Sequence, residues 1–214
     1  MSETRDLKYT GNVASGYDEK RKHSPRWQNE VRVFGGWIRE GRPASILDCP
    51  FGTGRWILQY DEIEARVIGL DISGDMLAEA RKKIGRPDAY ELVEGSVFDL
   101  DCSGMDAELI ACIRLLNWMP YEQAMQAVEG LSACPARQMI VGCSVRPANA
   151  GALARFKMKA ALWLKNRRKG NDLQYVHDEV AVLATIASHG WKFEEKQFIF
   201  RNSTRHNFFY RFSR

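Results

Sequence analysis

Ser45-Ile46-Leu47-Asp48-Cys49-Pro50-Phe51-Gly52-Thr53-Gly54-Arg55 decides how this chain folds. An apolar run ends in an acid, passes through a turn with two glycines and leads into what reads as a helix. A second apolar run, Arg66-Val67-Ile68-Gly69-Leu70-Asp71, ends in another acid 23 residues after the first. Strand, glycine turn, helix, strand, acid is how an α/β fold builds a nucleotide site. Glycines let the backbone approach the ligand, and the second acid accepts hydrogen bonds from ribose hydroxyls.

Outward from that stretch the same alternation continues. Strands are predicted near 44–49, 66–71, 90–94, 108–112 and 138–143, with helices near 54–61, 76–83 and 121–133. Upstream, Trp27, Val31, Phe34, Trp37 and Ile38 mark an amphipathic helix. Downstream come a basic helix over 151–170, a helix over 178–189 and two aromatic strands near 192–200 and 205–213. The fold class is therefore α/β: a seven-stranded, mainly parallel sheet with right-handed crossovers and helices on both faces.

Composition fits one soluble domain spanning 1–214, with 45% hydrophobic and 27% charged residues. No apolar run approaches the length of a membrane span and the N-terminus lacks a signal-peptide core, which points to a cytoplasmic protein. Five cysteines, with no C-x-x-C pair, read as reduced core residues, and no metal site is expected. Charge is uneven. Residues 151–214 carry 13 Lys/Arg against 5 Asp/Glu, whereas 1–150 carry 18 against 22. Seven of the basic residues lie between Gly151 and Gly170, where there is no acid. Leu153, Phe156, Ala160 and Leu164 recur there at helical spacing, as a buried stripe beneath a solvated basic face would. The alternative is a collar for an anionic substrate: phosphate, carboxylate, nucleic acid or a membrane head group.

A dinucleotide turn would read G-x-G-x-x-G, but Ile57 stands at the third-glycine place. Asp48-x-Pro50-x-Gly52-x-Gly54 instead resembles motif I of class I S-adenosylmethionine (SAM) dependent methyltransferases, with Pro50 replacing the first glycine. Pro50 fixes φ and removes an N–H at the approach to the turn. The resemblance implies a Rossmann-like methyltransferase fold with an antiparallel last strand. It also implies SAM as cofactor and S-adenosylhomocysteine as product. Asp48 would then work towards the cofactor's amino group and Asp71 towards both ribose hydroxyls. Ile72-Ser73-x-x-Met76-Leu77 resembles the family's D-x-S-x-x-M-L/I signature, with Ile72 and Met76 flanking adenine. Glu94-Gly95-Ser96-Val97 stands where relatives often have G-D-A. Ser96 replaces the aspartate that accepts from the adenine amino group, a role the Val97 backbone or Asp99 could share.

Ile113-Arg114-Leu115-Leu116-Asn117-Trp118-Met119 resembles the segment that lines the sulfonium, with Trp118 where some relatives carry a histidine. Tyr9-x-x-x-Val13-Ala14-x-x-Tyr17-Asp18 resembles the V-A-x-x-Y-D lid, so 1–42 reads as a helical lid whose Tyr17, with Arg21, closes over the cofactor. The segment 151–190 lies on the substrate side. Arg114 and His177 are the candidate catalytic residues, the first at the mouth where the methyl points, the second as base or substrate contact. Arg205 and His206 read as surface residues. The expected reaction is methyl transfer to O or N of a small-molecule or glycan-type, anionic acceptor, similar to the methyltransferases of bacterial surface-polysaccharide loci. An RNA methyltransferase gripping phosphates with the basic helix, and a silent SAM-fold binding module, stand as alternatives.

Overall fold

The computed structural model describes residues 23–146, 151–167, 174–202 and 204–214. Tyr17, Arg21 and the remainder of the expected lid motif lie outside them, as do Arg168 and Lys169 of the basic run.

Helix α1 (Pro25–Gly41) starts where sequence chemistry puts it. The Ser24 hydroxyl accepts from the Trp27 amide and Pro25 occupies the first turn, where its missing N–H costs nothing. Arg42, left-handed at φ 39°, ends the helix. Its apolar stripe (Val33, Phe34, Trp37, Ile38) is buried, each side chain stabilising the fold by about 1.5–3 kcal/mol.

Strands β1 (Ser45–Asp48), β2 (Arg66–Asp71) and β3 (Tyr90–Glu94) alternate with α2 (Ile57–Glu62) and α3 (Gly74–Arg81). Then follow β4 (Leu109–Ile113), α4 (Tyr121–Ser132), β5 (Gln138–Arg146) and α5 (Ala152–Arg167). The chain closes with β6 (His177–Asp178), α6 (Glu179–Ser188), β7 (Lys192–Arg201) and β8 (His206–Ser213). The sheet order is β3-β2-β1-β4-β5-β8-β7. The β1–β5 pairings are parallel, and β8 runs antiparallel to both β5 and β7. One strand more than expected appears: β6 holds only two residues beside the end of β5, too few to leave an alternating pattern.

Alternate strand residues feed two cores. Ile46, Leu109 and Ile140 face α1–α3 with Phe34, Tyr60 and Phe209. Leu47, Ile110 and Met139 face α4 and α6 with Val128, Ile186 and Tyr210. Two expectations need correction. Cys102 and Cys134 are joined as a disulfide, while Cys49, Cys112 and Cys143 are buried and free. The end of α4 brings the pair together across 32 residues, which no short spacing announces. The α5 stripe is not buried either: Leu153, Phe156, Ala160 and Leu164 are exposed, as is Trp163, while Met158 packs inward.

Candidate active site

The parallel strands end along one edge, where loops after β1, β2, β3 and β4 converge. The turn after β1 places Gly52 and Gly54 at φ 59° and 70°, conformations that favour glycine. A Cβ on Gly54 would lie 2.3 Å from Ile57 Cδ1, so that glycine lets α2 pack. A Cβ on Gly52 would meet only Met76 Cε, at 3.7 Å, so its backbone faces an open side. Asp71 ties the two loops together. Its Oδ2 accepts from the Gly52 amide at 2.7 Å and its Oδ1 from the Ser73 amide at 3.0 Å. Burial raises the Asp71 pKa, against the pull of the Ser73, Gly52 and Ile72 amides.

Asp48 is buried beneath this turn. Tyr60 donates its hydroxyl to Oδ2 at 2.9 Å, whereas Oδ1 accepts nothing among the described residues. Burial pushes Asp48 up to about 8, with Asp71 adding to the effect and the Tyr60 hydrogen bond opposing it. Ile72 is 54% exposed and Met76 is buried. The Ser96 hydroxyl accepts from the Phe98 amide, and Val97 is buried beside it. Phe98, half exposed, joins Ile72 on neighbouring loops, since Asp71 and Glu94 are in register. Sequence reasoning passed over Phe98, whose signal is an aromatic just beyond the Glu-Gly-Ser turn.

Across the mouth lies a cluster that the sequence reading also missed. Glu30 on α1 is fully buried and receives three guanidiniums. Arg26 Nε donates at 2.8 Å and Arg114 Nε at 3.3 Å to Oε1, while Arg55 and a terminal nitrogen of Arg114 donate to Oε2. Burial alone would raise the Glu30 pKa, but Arg114, Arg55 and Arg26 outweigh it and hold it at about 2. Its signal was an acid among apolar positions, three after Trp27 and four before Phe34. Arg55 is fixed between the rings of Trp27 and Trp56, 3.7 and 4.3 Å from their centroids. Ile113, buried, ends β4, and Arg114 follows at φ 71° with its amide donating to Gly142.

Arg205, read from sequence as a surface residue, joins this cluster instead. It is 9% exposed; one terminal nitrogen donates to Gln174, and its Nε has no partner among the described residues. Burial, then Arg26 and Arg114, lower it to about 10. The β7–β8 hairpin folds it inward, a placement set by tertiary structure.

His177 is not among Arg114's partners. It lines a cavity of about 450 Å³ with Tyr121, Arg146, Asn166, Gln174 and Asp178. Its Nε2 lies 2.6 Å from the Leu116 carbonyl, which can only accept, so Nε2 carries the proton and Nδ1 is an acceptor. Burial, with Arg146 adding, lowers its pKa and keeps the ring neutral, although the Leu116 hydrogen bond opposes this. Gln174 borders the cavity and accepts from Arg205, so cavity and cluster adjoin. Asn117 pins the loops: its side chain accepts from the Ser144 amide and donates to the Tyr175 carbonyl. No group of metal-ligating side chains occurs among the described residues, and none of their helices is long and apolar enough to cross a membrane.

Sheet order, glycine turn and strand-end acids define the fold of class I SAM-dependent methyltransferases. Residues 46–134 match the family model described as a methyltransferase domain. Solved structures share the fold at low identity. Magnesium protoporphyrin IX methyltransferase of Synechocystis PCC 6803 superposes with TM-score 0.70 at 18% identity, over 88% of this chain and 83% of that one. The Burkholderia thailandensis 1,6-didemethyltoxoflavin-N1-methyltransferase gives 0.64 at 15%, over 94% and 84%. Small RNA methyltransferase HEN1 gives 0.64 at 16%, over 87% of this chain and 25% of that one. No curated protein sequence matches the chain. One fold serving acceptors this different leaves the acceptor to be argued from the site.

Proposed function

We propose that this domain transfers a methyl group from SAM to an oxygen or nitrogen of an anionic small-molecule or glycan-type acceptor, working in the cytoplasm as a single unit. The observation that carries the anionic acceptor is the cluster at the strand ends. Among the described residues, three guanidiniums (Arg26, Arg55, Arg114) share one carboxylate, and the buried Arg205, which Arg26 and Arg114 repel, keeps an unpaired donor. Buried cations in such excess favour a bound anion.

The residues present fit the cofactor. The open side of Gly52 suits close approach, and Asp48 Oδ1 suits an amino group. Asp71 keeps further lone pairs for ribose hydroxyls beyond its two amide bonds, and Ile72 and Met76 suit adenine. Ser96, Val97 and Ile113 complete the lining, with Tyr17 assigned from sequence alone. SAM supplies the activated methyl on a cationic sulfur. The chain has then to align the acceptor, which can lower the barrier by about 7–11 kcal/mol. Arg114 and Arg205 hold the acceptor's anionic group. His177, neutral with Nδ1 as acceptor, takes the proton of a hydroxyl or ammonium nucleophile. An acceptor methylated on an anionic oxygen needs no base.

A second reading, an RNA acceptor, is favoured by the acid-free basic helix α5 and predicts steep salt dependence. The test is thermal unfolding with SAM, S-adenosylhomocysteine and NAD, then labelled methyl transfer to carboxylate, phosphate and neutral acceptors and to RNA. At 100 times its Kd a ligand adds about 2.7 kcal/mol of stability. Stabilisation by the first two alone, with transfer confined to anionic small molecules, is expected. Stabilisation by NAD, or transfer to neutral acceptors only, would overturn the reading.

A further inference from the structure

Helix α5 has two working faces. Inward, Met158 is buried, Leu162 and Asn166 line the His177 cavity, and Arg155 pairs with Asp178. Outward, Leu153, Phe156, Trp163 and Leu164 are 66%, 69%, 57% and 52% exposed. At about 100° per residue these four fall within about 100° of the helix circumference. Lys157 and Lys159, both exposed, flank the stripe on its two sides, and Arg167 lies over the Trp163 ring at 4.7 Å. From Gly151 to Gly170 the sequence has no acid. A contiguous stripe of large apolar side chains needs a cover, and its flanks dictate which kind.

We infer that α5 docks the protein on an anionic lipid bilayer, lying in the plane of the interface. Leucine, phenylalanine and tryptophan enter the boundary between head groups and acyl chains, while the flanking lysines meet lipid phosphates. A second copy fits worse, because it would set this acid-free helix against an equally basic surface. A nucleic acid fits worse as well, since half the stripe is aliphatic leucine, which offers no stacking platform for bases. The inference does not depend on the acceptor proposed above. If both hold, the acceptor is one presented at a membrane surface.

The full chain is mixed with phosphatidylcholine vesicles and with vesicles of phosphatidylcholine and phosphatidylglycerol, then floated on a density gradient. Co-flotation with the anionic vesicles is expected, with a blue shift of tryptophan emission that Trp163→Phe removes. Phe156→Glu with Leu164→Glu, or Lys157→Glu with Lys159→Glu, should each weaken partitioning by about tenfold or more. Because these side chains are exposed, both variants should keep the parent's melting temperature and its stabilisation by SAM, readouts that also report separately on the cofactor reading. The inference is overturned by failure to float with either vesicle or by partitioning unchanged in both variants. It is overturned equally by a dimer in light scattering that Phe156→Glu dissolves, or by lost RNA binding in the lysine variant with vesicles indifferent to it.

Discussion

The glycine-turn half of the mouth and the arginine half solve opposite electrostatic problems. Around the turn, Asp48 and Asp71 are carboxyl groups whose burial raises their pKa and favours the protonated form while no cation faces them, braced chiefly by neutral donors. Across the mouth, Glu30 is a carboxylate held at about 2 by an excess of guanidiniums. One half is short of positive charge and suits a cationic ligand such as SAM. The other is short of negative charge and suits an anion. Charge of each sign is left for the ligand that needs it.

The largest effect should come from breaking the arginine half. Glu30→Gln leaves the guanidiniums without their shared counter-charge and should cost about 3–5 kcal/mol, read from denaturant unfolding. A loss below about 1 kcal/mol would mean that solvent already screens the cluster. On the other side, Asp71→Asn should weaken SAM binding by about 100-fold while the fold persists, because charge-assisted hydrogen bonds to ribose are lost. Titration calorimetry beside circular dichroism measures both, and unchanged affinity would misplace the cofactor.

The two halves should answer pH with opposite signs. Folded Asp48 keeps its proton up to about pH 8, whereas the unfolded residue loses it near 3.8. The native state therefore binds more protons in that window, and its stability falls as pH rises from about 4 to 8. Asp48→Asn should flatten this decline. Folded Glu30 stays ionised down to about 2 against 4.5 when unfolded, so its contribution is present above 4.5 and lost as pH falls through that range to about 2. Melting temperatures across pH test both slopes, and a shared sign would collapse the contrast. Smallest is the effect of Arg205→Gln. It should raise KM for an anionic acceptor by about tenfold with little change in kcat or cofactor affinity, as loss of a uniform binding contact would.

How much was legible follows from how each half is built. Asp48, Gly52, Gly54 and Asp71 sit within 24 residues, and two strands in register bring them together, so spacing alone reveals them. Strands β1 to β5 were read close to their places for the same reason: apolar β-runs announce themselves locally, whereas the two-residue β6 does not. Arg26, Glu30, Arg55, Arg114 and Arg205 come from four separate stretches of chain, and no period links them. Glu30 drew no reading at all, and Arg205 was read as a surface residue. The α5 stripe was found with the correct period and placed on the wrong side, because periodicity tells which residues share a face and not what that face meets.

Glu30 has one further consequence. A single carboxylate anchors Arg55, which follows the glycine turn, and Arg114, which follows β4. Any ligand that draws Arg55 or Arg114 towards itself relaxes or tightens the hold on the other. Were cofactor and acceptor to engage one arginine each, reciprocity would require them to alter each other's affinity by the same factor, with one ion-pair junction carrying the coupling.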